Sequence, residues 1–136
     1  MEYKAGFHFK DKAGEQNFWR VQASSMSINP SNLEVQKNVI YFDIGDNLVS
    51  DQGHDGEDFY YLTDYFYMST SINPNFLITL YTIDENYYNF HKEADLSDLD
   101  GGNPFSEPVI VLSNIEGGLG LFSAFNKRVY TFAIKK

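Results

Sequence analysis

The chain has 136 residues, 43% hydrophobic and 21% charged, proportions that suit one globular domain with its own core rather than a disordered segment. Its net charge of −9, from 19 acidic and 10 basic residues, argues against nucleic acid and anionic membrane as partners, because both require clustered Lys and Arg. The absence of cysteine removes disulfides, thiolate nucleophiles and cysteine-bound zinc or iron–sulfur centres.

Aromatic side chains reach 17%, with 12 Phe and 10 Tyr, and large flat side chains suit a half-buried pleated surface. The opening residues, Met1 to Phe7, lack a basic-then-apolar signal pattern and read as the start of a strand, so the natural chain is expected to be longer. Tyr3, Ala5, Phe7 and Phe9 alternate with Lys4, Gly6, His8 and Lys10, the period of a strand with one face inward. Asp11 to Gly14 supplies a turn, and Asn17 to Gln22 reads as the returning strand. Ser24 to Gln36 is polar and contains Asn29-Pro30, which predicts a loop. Asn38 to Ile44 predicts a third strand.

Gly45 to Asp58 is rich in Gly and Asp, and Asp58 to Met68 predicts an aromatic strand. Ser71 to Pro74 reads as a turn before Phe76 to Ile83, a run apolar on both faces as a central strand would be. Asp84 is a candidate N-cap, Glu85 falls in the first turn, and Tyr87, Tyr88, Phe90, His91 and Ala94 recur at helical spacing, predicting one short helix near residues 85–96. Asp98 to Pro104 reads as a loop, Glu107 to Leu112 as a strand, and Arg128 to Lys135 as a last strand with Tyr130, Phe132 and Ile134 on one face. The expected fold over residues 1–136 is a single all-β domain, an antiparallel β-sandwich or open barrel of about seven to nine strands. No apolar run approaches the ~20 residues of a membrane helix.

The segment Ser113-Asn-Ile-Glu-Gly-Gly-Leu-Gly-Leu-Phe122 raises the question of a phosphate cradle. A cradle needs a following helix to supply amides and a positive dipole end, and a Lys-Ser or Lys-Thr ending. Neither is present, so the glycines read as a bent connection packed where side chains would not fit. Asp51, Asp55 and Gly56 fall at positions of a calcium loop, but Gly53 and Leu62 stand where further ligands belong, so this is no EF-hand. Asp and Gly also build turns, and the stretch reads as a solvated hairpin in which Asp51, Asp55 and Asp58 are the candidate ligands of a different calcium site. Otherwise no cofactor is expected.

His8, His54 and His91 have no zinc-ligand spacing, no Gly-x-Ser-x-Gly elbow holds a serine, and nothing specifies a carboxylate pair, so no enzyme is expected. Most strand aromatics belong in the core; Trp19, Tyr61, Tyr65 and Tyr67 are the candidates for a ligand- or partner-binding surface.

Three motifs carry a resemblance. Gly14-Glu-Gln-Asn-Phe-Trp-Arg20 is similar to a Gly-Glu-x-Asn-aromatic-aromatic-Arg strand, Ser50-Asp51 with Asp55-Gly56 to a Ser-Asp…Gly hairpin, and Asn103-Pro-Phe-Ser-Glu-Pro108 leading into Ser113 to Phe122 to a C-terminal signature. Together they resemble the Bacteroidetes lipoprotein family known as domain of unknown function 4249, over nearly the whole chain. The resemblance implies the C-terminal domain of a lipoprotein anchored in the outer membrane, on its surface or periplasmic face, with the lipid anchor as its only attachment. It implies a role beside TonB-dependent transporters in nutrient uptake, the partner being the transporter or a small nutrient ligand. No catalytic residues come with the family. The expected function is that of a non-catalytic accessory or binding domain; the alternative is a barrel-type protein binding a sugar or an apolar ligand.

Overall fold

A computed structural model describes residues 2–68, 72–100 and 112–134, with the side chains of 96–100 excepted. In chain order the elements are β1 (Glu2–Tyr3), β2 (Gly6–Lys10), β3 (Phe18–Ile28), β4 (Val35–Ile40), β5 (Phe42–Ile44), β6 (Leu48–Ser50), β7 (Asp58–Thr63), β8 (Phe66–Tyr67), β9 (Ile72–Ile83), α1 (Glu85–Asp100) and β10 (Phe125–Ala133). The strand expected over Glu107 to Leu112 lies, except for Leu112, outside the described residues.

All pairings are antiparallel. The larger sheet runs β10-β9-β3-β4, with β6 pairing the first residues of β3 where β4 pairs the later ones. A three-stranded sheet, β2-β7-β5, packs on it, and β1 pairs β8 at one end. The described strands form a sandwich-like arrangement and do not close into a barrel.

The core between the sheets follows from the alternation. Val21 faces Leu80 and Ala23 faces Ile78 in the β3–β9 register, and directly opposed residues lie on the same side of a sheet. This face meets Phe7, Phe9, Phe42, Phe59 and Tyr61 of the smaller sheet. Their rings stack or meet edge-on: Phe7 lies parallel to Tyr61 at 5.0 Å, and Phe9 meets Trp19 at 5.3 Å. On the other face of the larger sheet, α1 covers Phe18, Leu48 and Ile83 with Tyr87 and Tyr88.

Several boundaries differ from expectation. The strand expected over Asp58 to Met68 divides into β7 and β8, which join different sheets. The loop expected at 24–36 is mostly strand, because β3 is paired on both sides and takes up Ser24 and Ser25 as buried residues. Pairing satisfies the backbone there whatever the side chains prefer. The real turn is short: Leu33 N–H donates to Asn29 O at 2.8 Å, and Ser31 N–H donates to the Asn29 side chain at 2.9 Å. The strand expected over 38–44 is split at Tyr41, where the chain passes from the larger sheet to the smaller. Of the turn expected at Ser71 to Pro74, Ser71 lies outside the described residues and 72–74 form instead a register shift inside β9, with Asn73 at φ 48°. The helix extends to Asp100 rather than 96.

The glycine segment is an exposed loop. Ser113 Oγ accepts from the N–H groups of Ile115 and Gly120 and donates to Gly118 O, while the Asn114 amide bonds both N–H and C=O of Phe122. The tight packing expected around its glycines is limited: at Gly118 and Gly120 an added Cβ would meet only the loop's own Ile115.

Candidate functional site

The two sheets are unequal in width. The larger presents β10, β9 and β3 side by side, whereas the smaller ends at β2, which among the described residues pairs only with β7. In the β10–β9 register Tyr130 faces Ile78 and Phe132 faces Phe76, so both sit on the core-facing side of their sheet. Yet they remain 46% and 51% exposed, because no described strand of the smaller sheet lies above them. Between them and β2 is a hollow of about 290 Å³, lined chiefly by Phe7, Phe9, Val21, Leu80, Tyr130 and Phe132. Its floor is apolar side chain and its upper rim is the outer edge of β2.

The four aromatics singled out in the sequence separate into two pairs. Trp19 and Tyr61 are core residues. Tyr61 donates its hydroxyl to Asp46 O at 3.0 Å, and burial, with the nearby Asp46 charge, pushes the phenol well above its ordinary range. Tyr65 and Tyr67 are exposed, 58% and 72%. Lys4 Nζ lies 4.9 Å from the Tyr65 ring centre and pairs with Asp43 at 2.6 Å, while Tyr67 donates to the Glu2 carboxylate. The lining aromatics of the hollow are instead Phe7, Phe9, Tyr130 and Phe132. Their shared alternation was visible in the sequence, but not that a neighbouring strand would be missing above two of them.

The acidic residues also regroup. Asp11, Asp51 and Asp55 each bring a carboxylate oxygen to within 4.8 Å of the others. Asp58 is elsewhere: it starts β7 opposite Lys10, with its carboxylate 3.8 Å from His8 Nδ1. Asp11 follows β2, Asp51 follows β6, and Asp55 lies in the turn before β7. Backbone bonds fix the meeting: Asp11 N–H donates to Glu57 O at 3.0 Å and Asp51 N–H to Asn17 O at 3.2 Å. Asp11 accepts from Asn17 Nδ2 and Gly56 N–H, and Asp55 accepts from Gly14 N–H. The stretch expected to be a solvated hairpin thus holds a buried residue, Asp51, at 2% exposure. Asp11 had read only as turn chemistry, and no local spacing links it to residues 40 positions away.

A third polar cluster sits on α1. Arg20 donates to the Tyr87 hydroxyl at 2.6 Å, and the His91 ring lies 4.3 Å from that of Tyr87. Burial, then the Arg20 charge, holds His91 below the usual histidine range despite an opposing pull from Asp95.

A family model described as "Domain of unknown function (DUF4249)" matches residues 1–131. No curated protein and no solved structure matches the chain.

Proposed function

The chain belongs to the DUF4249 family, and from that premise we propose that it is a non-catalytic accessory domain of a cell-envelope lipoprotein, receiving an extended segment of a protein partner between β2 and β10. The observation that carries this reading is the core-type face of β10, with Tyr130 and Phe132 half exposed, beside an edge of β2 that is unpaired among the described residues. An added strand would satisfy both features together. Its backbone would pair with β2, and its alternate side chains would cover the two rings. The sequence motifs that resemble outer-membrane lipoproteins make the TonB-dependent transporter the partner we assign, and nutrient uptake the process.

Phe132→Lys puts a charge on the floor of the hollow at a half-exposed position, where among the described residues its one ring contact with the buried core is to Phe76 at 6.3 Å. With the purified transporter in detergent and the immobilised chain, we expect wild type to bind and the variant to lose about tenfold or more in affinity. Its melting temperature should stay within about 2 °C of wild type, as for an exposed position. Equal transporter binding by wild type and variant overturns the proposed site, and no binding by either overturns the partner.

A small apolar or sugar ligand is the second reading, favoured by the aromatic lining and by a volume close to the ~300 Å³ at which ligand sites begin. It predicts saturable ligand binding without the transporter, lost in the same variant.

A further inference from the structure

We propose that Asp11, Asp51 and Asp55 form a calcium site that ties the two sheets together at one end of the sandwich. Asp51 is the decisive residue. It is 2% exposed, both of its carboxylate oxygens are shut off from solvent, and neither has a hydrogen-bond partner. A buried carboxylate without a donor or a cation is strongly disfavoured. Among the described residues no Lys, Arg or His lies within ion-pair distance of it. Its oxygens are turned instead toward two further carboxylates.

The donor set is oxygen alone. His54, the nearest imidazole in sequence, is engaged with Glu57 at 2.9 Å. Oxygen donors select hard cations over zinc. Ligand chemistry then favours calcium over magnesium. Calcium takes several carboxylates in flexible geometry, whereas magnesium demands a near-ideal octahedron, keeps several waters and is held by one or two carboxylates. Three carboxylates that converge from separate connections therefore suit the larger ion. Asp11 accepts two donors and Asp55 one, shared between its two oxygens, so both keep free lone pairs, and all four of Asp51 are unused. The open side is a hollow of about 380 Å³ lined by Glu15, Gln16, Gln52 and Asp55, which leaves room for water or a further carboxylate to complete the shell.

The location gives the ion a structural role. Asp11 follows β2 of the smaller sheet, Asp51 follows β6 of the larger, and Asp55 lies in the turn before β7. One ion bound there would bridge both layers and offset the repulsion among three carboxylates.

The test uses the full chain, stripped with chelator and returned to calcium-free buffer, with calcium chloride alone as the probe. Calorimetry should give one site per chain with a Kd on the order of 10⁻⁴ M, the range of open extracellular sites. Calcium at about ten times Kd should raise the melting temperature by roughly 4 °C. Asp55→Asn, at an exposed position, should weaken binding about tenfold or more. Asp51→Asn should abolish it. Asp58→Asn should leave the response as in wild type, and equimolar magnesium should not reproduce it. No heat and no thermal shift with wild type up to about 10 mM calcium overturns the site, as does an Asp58→Asn loss equal to that of Asp55→Asn.

Discussion

Gly45 stands at φ +102° with the Tyr61 ring directly over it, so that a Cβ would lie 2.4 Å from Tyr61 Cδ1. Two constraints therefore coincide at one residue: a left-handed backbone, and a close approach that leaves no room for a methyl. Tyr61 cannot easily move, because it stacks on Phe7 and donates to Asp46 O. We expect Gly45→Ala to destabilise the chain by about 2–4 kcal/mol, combining backbone strain with overpacking. Urea unfolding would check this. A midpoint equal to wild type would mean that the ring has room to shift. Gly120, at φ +142° in an exposed loop, faces only the far end of the Ile115 side chain and lacks the second constraint.

Asp84 is the other residue whose role is concentrated in few atoms. One carboxylate oxygen accepts from Tyr87 N–H at 2.8 Å, capping α1, and the other accepts from Ser123 Oγ at 2.8 Å and Ala124 N–H at 3.3 Å. The cap thus also fastens the loop that leads into β10. Burial alone would raise this acid, but these hydrogen bonds, with one from Asn86, outweigh it and hold Asp84 below its ordinary value. Asp84→Ala should cost about 1–2 kcal/mol at neutral pH. A depressed carboxylate contributes stability above its unfolded value of 3.8 and loses it as pH falls through the lower folded value. The difference in melting temperature between wild type and Asp84→Ala should accordingly shrink below pH 3.8. A difference constant down to strongly acid pH would show that the carboxylate charge is not what holds the cap.

At the scale of elements, α1 owes its place to packing rather than to a strongly amphipathic pattern. Tyr87 and Tyr88 lie over Phe18, Leu48 and Ile83, and Arg20 reaches up from β3 to Tyr87. His91 in the same contact takes a proton less readily folded than unfolded. As pH falls below the unfolded value of 6.5 the unfolded chain protonates first, so stability declines and then levels off below the folded value. His91→Gln should flatten the melting temperature between about pH 7 and 5. An unchanged slope would assign the acid sensitivity to other groups.

The strands show how far local pattern carries. The alternation in residues 3–9 and 128–134 identified β2 and β10, and Asp84 marked the helix start. β3 was legible only in its first half, since Ser24 and Ser25 carry no strand signal and are held by pairing with β4 on one side and β9 on the other. The break at Tyr41 was hidden for a related reason. Nothing in Val39-Ile-Tyr-Phe42 tells which sheet each residue will join.

At the scale of the whole molecule, the mismatch of five described strands in one sheet against three in the other decides what is left uncovered among the described residues, and the meeting of separate connections decides where charge collects. Composition and the aromatic alternation determined the class by themselves: an antiparallel, mostly β fold with a late helix, assigned to its family through its motifs. Those are local properties, written in neighbours along the chain. The grouping of Asp11 with Asp51 and Asp55, the exclusion of Asp58, the burial of Trp19 and Tyr61, and the exposure of Tyr130 and Phe132 belong to tertiary structure alone. Each depends on which strands stand side by side, and residues 40 or more positions apart meet only when the sheets close on one another.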